Sequence, residues 1–105
     1  MNILIVTFAL KDMNEADYEL ICEHLAPAFA EVDGLQSKVW LADPESNRYG
    51  GVYSFASEAD LDRFVASQLF ADVGAHPNLD TPTVQRFQVL DEPTRITRGL
   101  VAARS

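Results

Sequence analysis

The stretch from Lys38 to Phe55, KVWLADPESNRYGGVYSF, restricts the possible folds more than any other part of the chain. Val39, Trp40 and Leu41 precede Asp43-Pro44-Glu45-Ser46-Asn47, and Val52, Tyr53 and Phe55 follow it. Proline presets φ, while Asp, Ser and Asn side chains can bond their own backbone, so the polar segment reads as a turn between two β-strands. Gly50-Gly51 opens the second strand. Glycine weakens a strand, and a pair of them marks a bulge or the close approach of another group. Pairing Trp40 with Gly51 sets the indole beside Tyr53, over a floor without side chains. A register one residue away separates all three.

The strand before this hairpin is expected at Asn2 to Leu10, a β-branched and aromatic run. Both of its faces are apolar: Ile3 and Ile5 on one, Leu4, Val6 and Phe8 on the other. Lys11-Asp12-Met13 is a loop, and Asn14 is a natural N-cap with Asp17 at the third helical position. Tyr18, Ile21, Leu25, Phe29 and Val32 then form one stripe of an amphipathic helix over 15–32. Pro27 predicts a kink or break there, and Gly34 a stop. Ser57 and Asp60 resemble a capping box for a second helix bearing Leu61, Phe64, Val65 and Leu69. Gly74, Pro77, Asn78 and Pro82 predict irregular chain from Phe70 to Pro82. A fourth strand follows from Thr83 to Leu90, ended by Asp91-Glu92-Pro93, and the tail beyond is too short to classify.

The order β-α-β-β-α-β predicts an α+β, ferredoxin-like sandwich formed by residues 1–105 as one domain. Two such helices cover one face of a four-stranded sheet. The other face is apolar as well, so a second copy of the chain is expected to cover it in a homodimer.

The net charge of −8 and the scattering of eight basic residues argue against nucleic-acid or anionic-membrane partners. One cysteine, Cys22, has no partner for an internal disulfide, which points to the cytoplasm. The opening run has no basic leader region and is too short to span a bilayer.

No phosphate loop, Cys-x-x-Cys or His-Glu-x-x-His pattern is present. His24 and His76 lie far apart without metal-ligand spacing, so no metal site is expected. His24, beside the apolar stripe, is either a half-exposed helix histidine or a proton relay into a pocket. His76, before Pro77, is a turn residue or part of a pocket lid. Cys22 reads as a small buried helix residue with no basic neighbour to stabilise a thiolate. Trp40 and Tyr53 are core aromatics or the wall of a cavity that stacks a flat ligand, with Tyr53 exchanging a proton. The acidic residues Glu15, Asp17, Glu58 and Asp60 suit helix first turns.

Lys38-Val39-Trp40, Gly50-Gly51 with Tyr53 and Phe55, Phe87-x-Val89, Asp91-Glu92-Pro93 and Pro27 resemble the YdhR-type monooxygenase family, part of the dimeric α/β-barrel superfamily. The resemblance runs from the first strand to Pro93. It implies a ferredoxin-like protomer, facing sheets in a homodimer, and a pocket between sheet and helices. It also implies oxidation of an aromatic or apolar small molecule by O2, with no cofactor. Tyr53 and His24 are then the candidate catalytic residues. Trp40, Gly51, Phe55, Phe8 and His76 are the candidate substrate-binding residues. A non-catalytic ligand-binding or stress-response module of the same fold is the alternative.

Overall fold

The computed structural model describes residues 1–99. Its order is β1 (Asn2–Leu10), α1 (Glu15–Ala30), β2 (Leu35–Asp43), β3 (Arg48–Phe55), α2 (Glu58–Val65), α3 (Gln68–Ala75), β4 (Leu79–Gln88) and α4 (Asp91–Ile96). The strands form one antiparallel sheet in the order β2-β3-β1-β4. This is the ferredoxin-like arrangement, in which β1 and β3 are central and both flanking strands are edges. No helix among the described residues is long and apolar enough to cross a membrane.

Alternation along the strands divides the sheet into two faces. Leu4, Val6 and Phe8 of β1 and Tyr49, Tyr53 and Phe55 of β3 are buried on the helix side. They meet Tyr18 and Phe29 from α1, and Leu61 and Phe64 from α2. Leu4, Phe55 and Leu61 are fully shielded. Each such side chain stabilises the fold by about 2–3 kcal/mol relative to exposure. Ile3, Ile5, Val39, Leu41, Val52 and Phe87 lie on the opposite face, where Val39 is 57% and Phe87 50% exposed.

The hairpin forms in the register that pairs Trp40 with Gly51. Asn47, in the left-handed region at φ 52°, closes the turn. Its side chain both donates to Leu10 O (3.0 Å) and accepts from Leu10 N–H (3.2 Å), which ties the hairpin tip to the end of β1. At the other end, one extra residue in β2, Gln36, makes a bulge between Leu35 and Ser37. The caps expected from sequence are present: Asn14 accepts from Asp17 N–H, and Ser57 from Asp60 N–H.

Four expectations are corrected. α1 runs unbroken through Pro27 and stops at Ala30, so the proline causes no break. The second helix is two helices, because Ser67 interrupts it. The Ser67 hydroxyl donates to Phe64 O (2.6 Å) and accepts from Phe70 N–H (3.2 Å), closing α2 and capping α3. Leu69 therefore belongs to α3, and 70–75 is helical rather than irregular. β4 begins at Leu79 and includes Pro82. Proline is tolerated because β4 is an edge strand and because Thr81 and Pro82 bulge opposite Phe8, with Thr81 at φ 46°. Finally, Asp91–Ile96 forms a short helix, with Pro93 in its first turn, where a missing N–H costs nothing.

Candidate active site

A cavity of about 210 Å³ lies between the helix face of the sheet and helices α1 and α3. Its walls include the rings of Phe8, Tyr18, Phe29, Trp40 and Tyr53. Strand geometry sets this up. Trp40 opposite Gly51 and Lys38 opposite Tyr53 are neighbouring cross-strand pairs, and all four residues share one face. Phe29 descends from α1 onto the group, edge-on to Trp40 at 5.5 Å and 89°. Leu69 and Val73 of α3, with His76 just beyond its end, close the cavity.

Gly51 is the floor. A Cβ there would stand 2.9 Å from Lys38 Cε and 3.5 Å from a Tyr53 ring carbon. The missing side chain is thus the space in which the Lys38 chain lies. Gly50 answers a different demand: at φ 154°, a Cβ would fall 1.9 Å from the backbone oxygen of Val6 in the adjacent strand. The pair joins one packing glycine to one backbone glycine.

Lys38 carries its nitrogen into the aromatic group, 3.4 Å from the ring centroids of both Phe29 and Trp40 and 4.6 Å from that of Tyr53. Among the described residues it pairs with no carboxylate. Burial brings its pKa from 10.5 down to about 7. The ring faces favour the ammonium and oppose part of this shift. The outcome is an amine within reach of both protonation states near neutrality.

Three other titratable groups of the cavity, Tyr53, Tyr18 and Cys22, are made weaker acids. Burial raises the Tyr53 phenol, the Tyr18 phenol and the Cys22 thiol above their ordinary values; contact with Cys22 adds to the shift at Tyr18. His76 accepts the Asn78 N–H at Nδ1 (3.1 Å), which assigns its proton to Nε2 in the neutral ring. Asp72 at the rim accepts from Gln68 Nε2 (2.7 Å).

Of the residues singled out from sequence, Trp40, Tyr53, Gly51, Phe8 and His76 line the cavity. His24 does not: it is exposed on the outer side of α1. Phe55 does not either, being fully buried in the core, stacked on Tyr53 at 6.3 Å and 9°. Lys38 was not singled out. The signal that finds it is alternation, since a residue two before Trp40 must share its face.

The family described as "Putative mono-oxygenase ydhR" matches residues 3–100. The chain belongs to this family. No curated protein matches the ydhR-family chain. Among solved structures, it is similar to a Nitrosomonas europaea protein of unknown function at 22% identity and TM-score 0.72, over 85% of this chain and 88% of that one. It is similar to SnoaB from Streptomyces nogalater, described as a cofactor-independent oxygenase, at 21% identity and TM-score 0.67, over 87% and 97%. It is also similar to the heme-degrader MhuD of Mycobacterium tuberculosis, solved with two hemes in its active site, at 17% identity and TM-score 0.69, over 86% and 96%. At these identities the likeness establishes the fold alone.

Proposed function

We propose that this ydhR-family protein is a cytoplasmic, homodimeric monooxygenase that oxidises an aromatic small molecule with O2, without metal or flavin. The observation that carries this reading is the cavity itself: five aromatic rings around about 210 Å³, more than the ~150 Å³ that admits benzene. Such a wall stacks a planar ligand and keeps water from it. The description of SnoaB as a cofactor-independent oxygenase supports the chemistry on the same fold.

A phenolic substrate can supply the electrons itself. Its phenolate gives one electron to O2, and the radical pair recombines as a carbon-bound hydroperoxide. Loss of water then leaves a carbonyl. The balance is one CH2 group plus O2 to one C=O group plus H2O. The protein's part is to hold the ring, exclude bulk water and manage the phenolic proton. Tyr53, which burial keeps protonated, serves as a hydrogen-bond donor to the oxygen on the substrate.

The uncovered sheet face supports the dimer. Ile3, Ile5, Val39, Leu41, Val52 and Phe87 give it an apolar patch, bordered by Ser54, Gln85 and Thr7, that a second copy would shield.

Oxygen uptake with a panel of phenols, hydroquinones and anthrones tests the activity. Consumption matched to substrate loss, and retained after dialysis against a chelator, is the expected result. Trp40 is the sole tryptophan, so its fluorescence reports binding independently. Compounds that quench it while no oxygen is consumed would make the protein a ligand-binding module instead.

A further inference from the structure

We propose that Lys38 is the base of this cavity: its amine takes the proton of an acidic hydroxyl on the ligand, a phenol, hydroquinone or enol, and the resulting ammonium pairs with the oxyanion. The inference names the substrate class for the site of the preceding reading and rests on that site being where the ligand sits.

Three features of the geometry carry it. First, the nitrogen is aimed into the ring-lined group and has no carboxylate partner among the described residues. A cation placed among apolar walls without a counter-ion gains most from an anionic ligand that brings one. Second, the position is built. Gly51 leaves the volume that the Lys38 chain occupies, and Phe29 and Trp40 hold the nitrogen between their faces. Third, Lys38, Phe29 and Trp40 also border a second, more polar hollow to which Gln36 and Ser37 contribute. A base must shed the proton it collects, and this hollow gives it a way to do so.

The groups that line the cavity around it do not compete. From α1 come Tyr18 and Cys22, and from β3 Tyr53, all made weaker acids by burial. From α3 and its end come Asp72, already bonded to Gln68, and His76, whose Nδ1 lone pair is taken by the Asn78 N–H. His76 can donate from Nε2, but it is not free to accept. The amine of Lys38, which burial has brought to about 7, is the group matched to a phenol at neutral pH. The step is ArOH + Lys38-NH2 → ArO⁻ + Lys38-NH3⁺, with no other reactant.

The experiment uses 4-nitrophenol, whose phenolate absorbs visible light and whose phenol does not, bound to the whole protein without oxygen. The bound probe is expected to ionise at a pH lower by about one unit or more than the free probe. In Lys38→Met the shift should disappear or reverse, because a buried phenolate then lacks a counter-ion. Lys38→Arg keeps the charge and should keep the lowered value, which separates the charge from any folding defect. A probe bound as neutral phenol by the unaltered protein, or an equal shift in Lys38→Met, overturns the proposal.

The chain has two lysines, so NMR titration of the ligand-free protein gives a second reading, with Lys11 as internal reference. Lys38 should titrate well below Lys11. If 4-nitrophenol fails to bind, this titration decides, and an amine that titrates alongside Lys11 overturns the proposal. The two readings of the cavity fail separately. Ionised probe with no oxygen consumed from any substrate refutes the oxygenase and leaves the base. Oxygen consumption with neutral bound probe does the reverse.

Discussion

The nitrogen of Lys38 lies 3.4 Å from the centre of the Trp40 ring, two residues along the same strand. Same-face neighbours in a strand usually stand side by side, both pointing away from the sheet. Here the lysine lies across the sheet over Gly51 and brings its charge against the rings of Trp40 and Phe29. A polar side chain thereby becomes part of an aromatic wall, and most of the chemistry available to the cavity follows from it.

The two adjacent glycines should respond very differently to alanine. In Gly51→Ala the new methyl meets the end of a flexible lysine chain, which can swing away, so the cost should be about 1 kcal/mol. Gly50→Ala drives a methyl into the β1 backbone at a φ of 154° and should cost more than about 3 kcal/mol or prevent folding. Urea denaturation of both variants checks the order. Comparable losses would mean that the two positions are not distinguished as described.

Lys38 should make stability depend on pH in a defined direction. Its folded pKa, about 7, lies below the ordinary 10.5. Between these values the unfolded chain binds more protons, so stability rises with pH across the window. Below about pH 7 both states are protonated and the folded chain bears the whole cost of burying the charge. The shift is equivalent to at most about 4–5 kcal/mol, and solvent around the part-exposed side chain screens some of it. Lys38→Met should therefore be more stable than the parent by roughly 2–3 kcal/mol at pH 6. The gap should close towards pH 10. Denaturation curves of the two proteins that stay parallel over this range would contradict the assignment.

Replacing Tyr53 by Phe removes the hydroxyl and keeps the ring that stacks on Phe55 and meets Phe64 at a tilt. The fold should be intact by circular dichroism, and turnover of a phenolic substrate should fall about ten- to a hundredfold. Because burial raises the Tyr53 pKa, its loss should not move the neutral limb of the pH–rate profile. Unchanged turnover would take Tyr53 out of the reaction.

Ser67→Ala removes the hydroxyl that both closes α2 and caps α3. A loss of about 1 kcal/mol is expected. Hydrogen exchange should quicken in 68–75 more than in the sheet, since α3 is a short helix with no fully buried residue. Ligand affinity should drop with it, because α3 supplies Leu69 and Val73 to the cavity.

Lysine at both Val39 and Phe87 would place charge on the uncovered sheet face without touching the core. Sedimentation should then show particles of one chain mass, where the parent is expected to show two. A parent protein that sediments as a single chain at micromolar concentration would remove the dimer from the proposal.

Much of this architecture was legible in residue pattern. A continuous β-branched and aromatic run marked β1, and apolar runs on either side of the turn chemistry of Asp43 to Asn47 marked β2 and β3. The caps at Asn14 and Ser57 bond as their side chains allow. The pairing of Trp40 with Gly51 was one of the registers open to the hairpin, and it is the one that forms. Strands, turn and caps obey local rules, settled within a few residues. The less legible features were those with two local solutions of similar cost. Ser67 suits the polar side of one long helix as well as the joint between two. Pro82 suits a loop as well as a bulge on an edge strand, and only the pairing with β1 chooses between them.

The candidate site divides in the same way. Sequence alone determined the strands and the turn that joins β2 to β3, because strand periodicity and turn chemistry act over a few residues; the register that sets Trp40 and Tyr53 over the glycine floor was one of those it allowed. Tertiary structure decided which of the remaining polar groups face the cavity. It left His24 on the outside of α1, sealed Phe55 in the core, and closed α1 and α3 over Lys38. The physical reason is desolvation: how an amine titrates depends on what packs around it, and here that packing comes from elements distant in the chain.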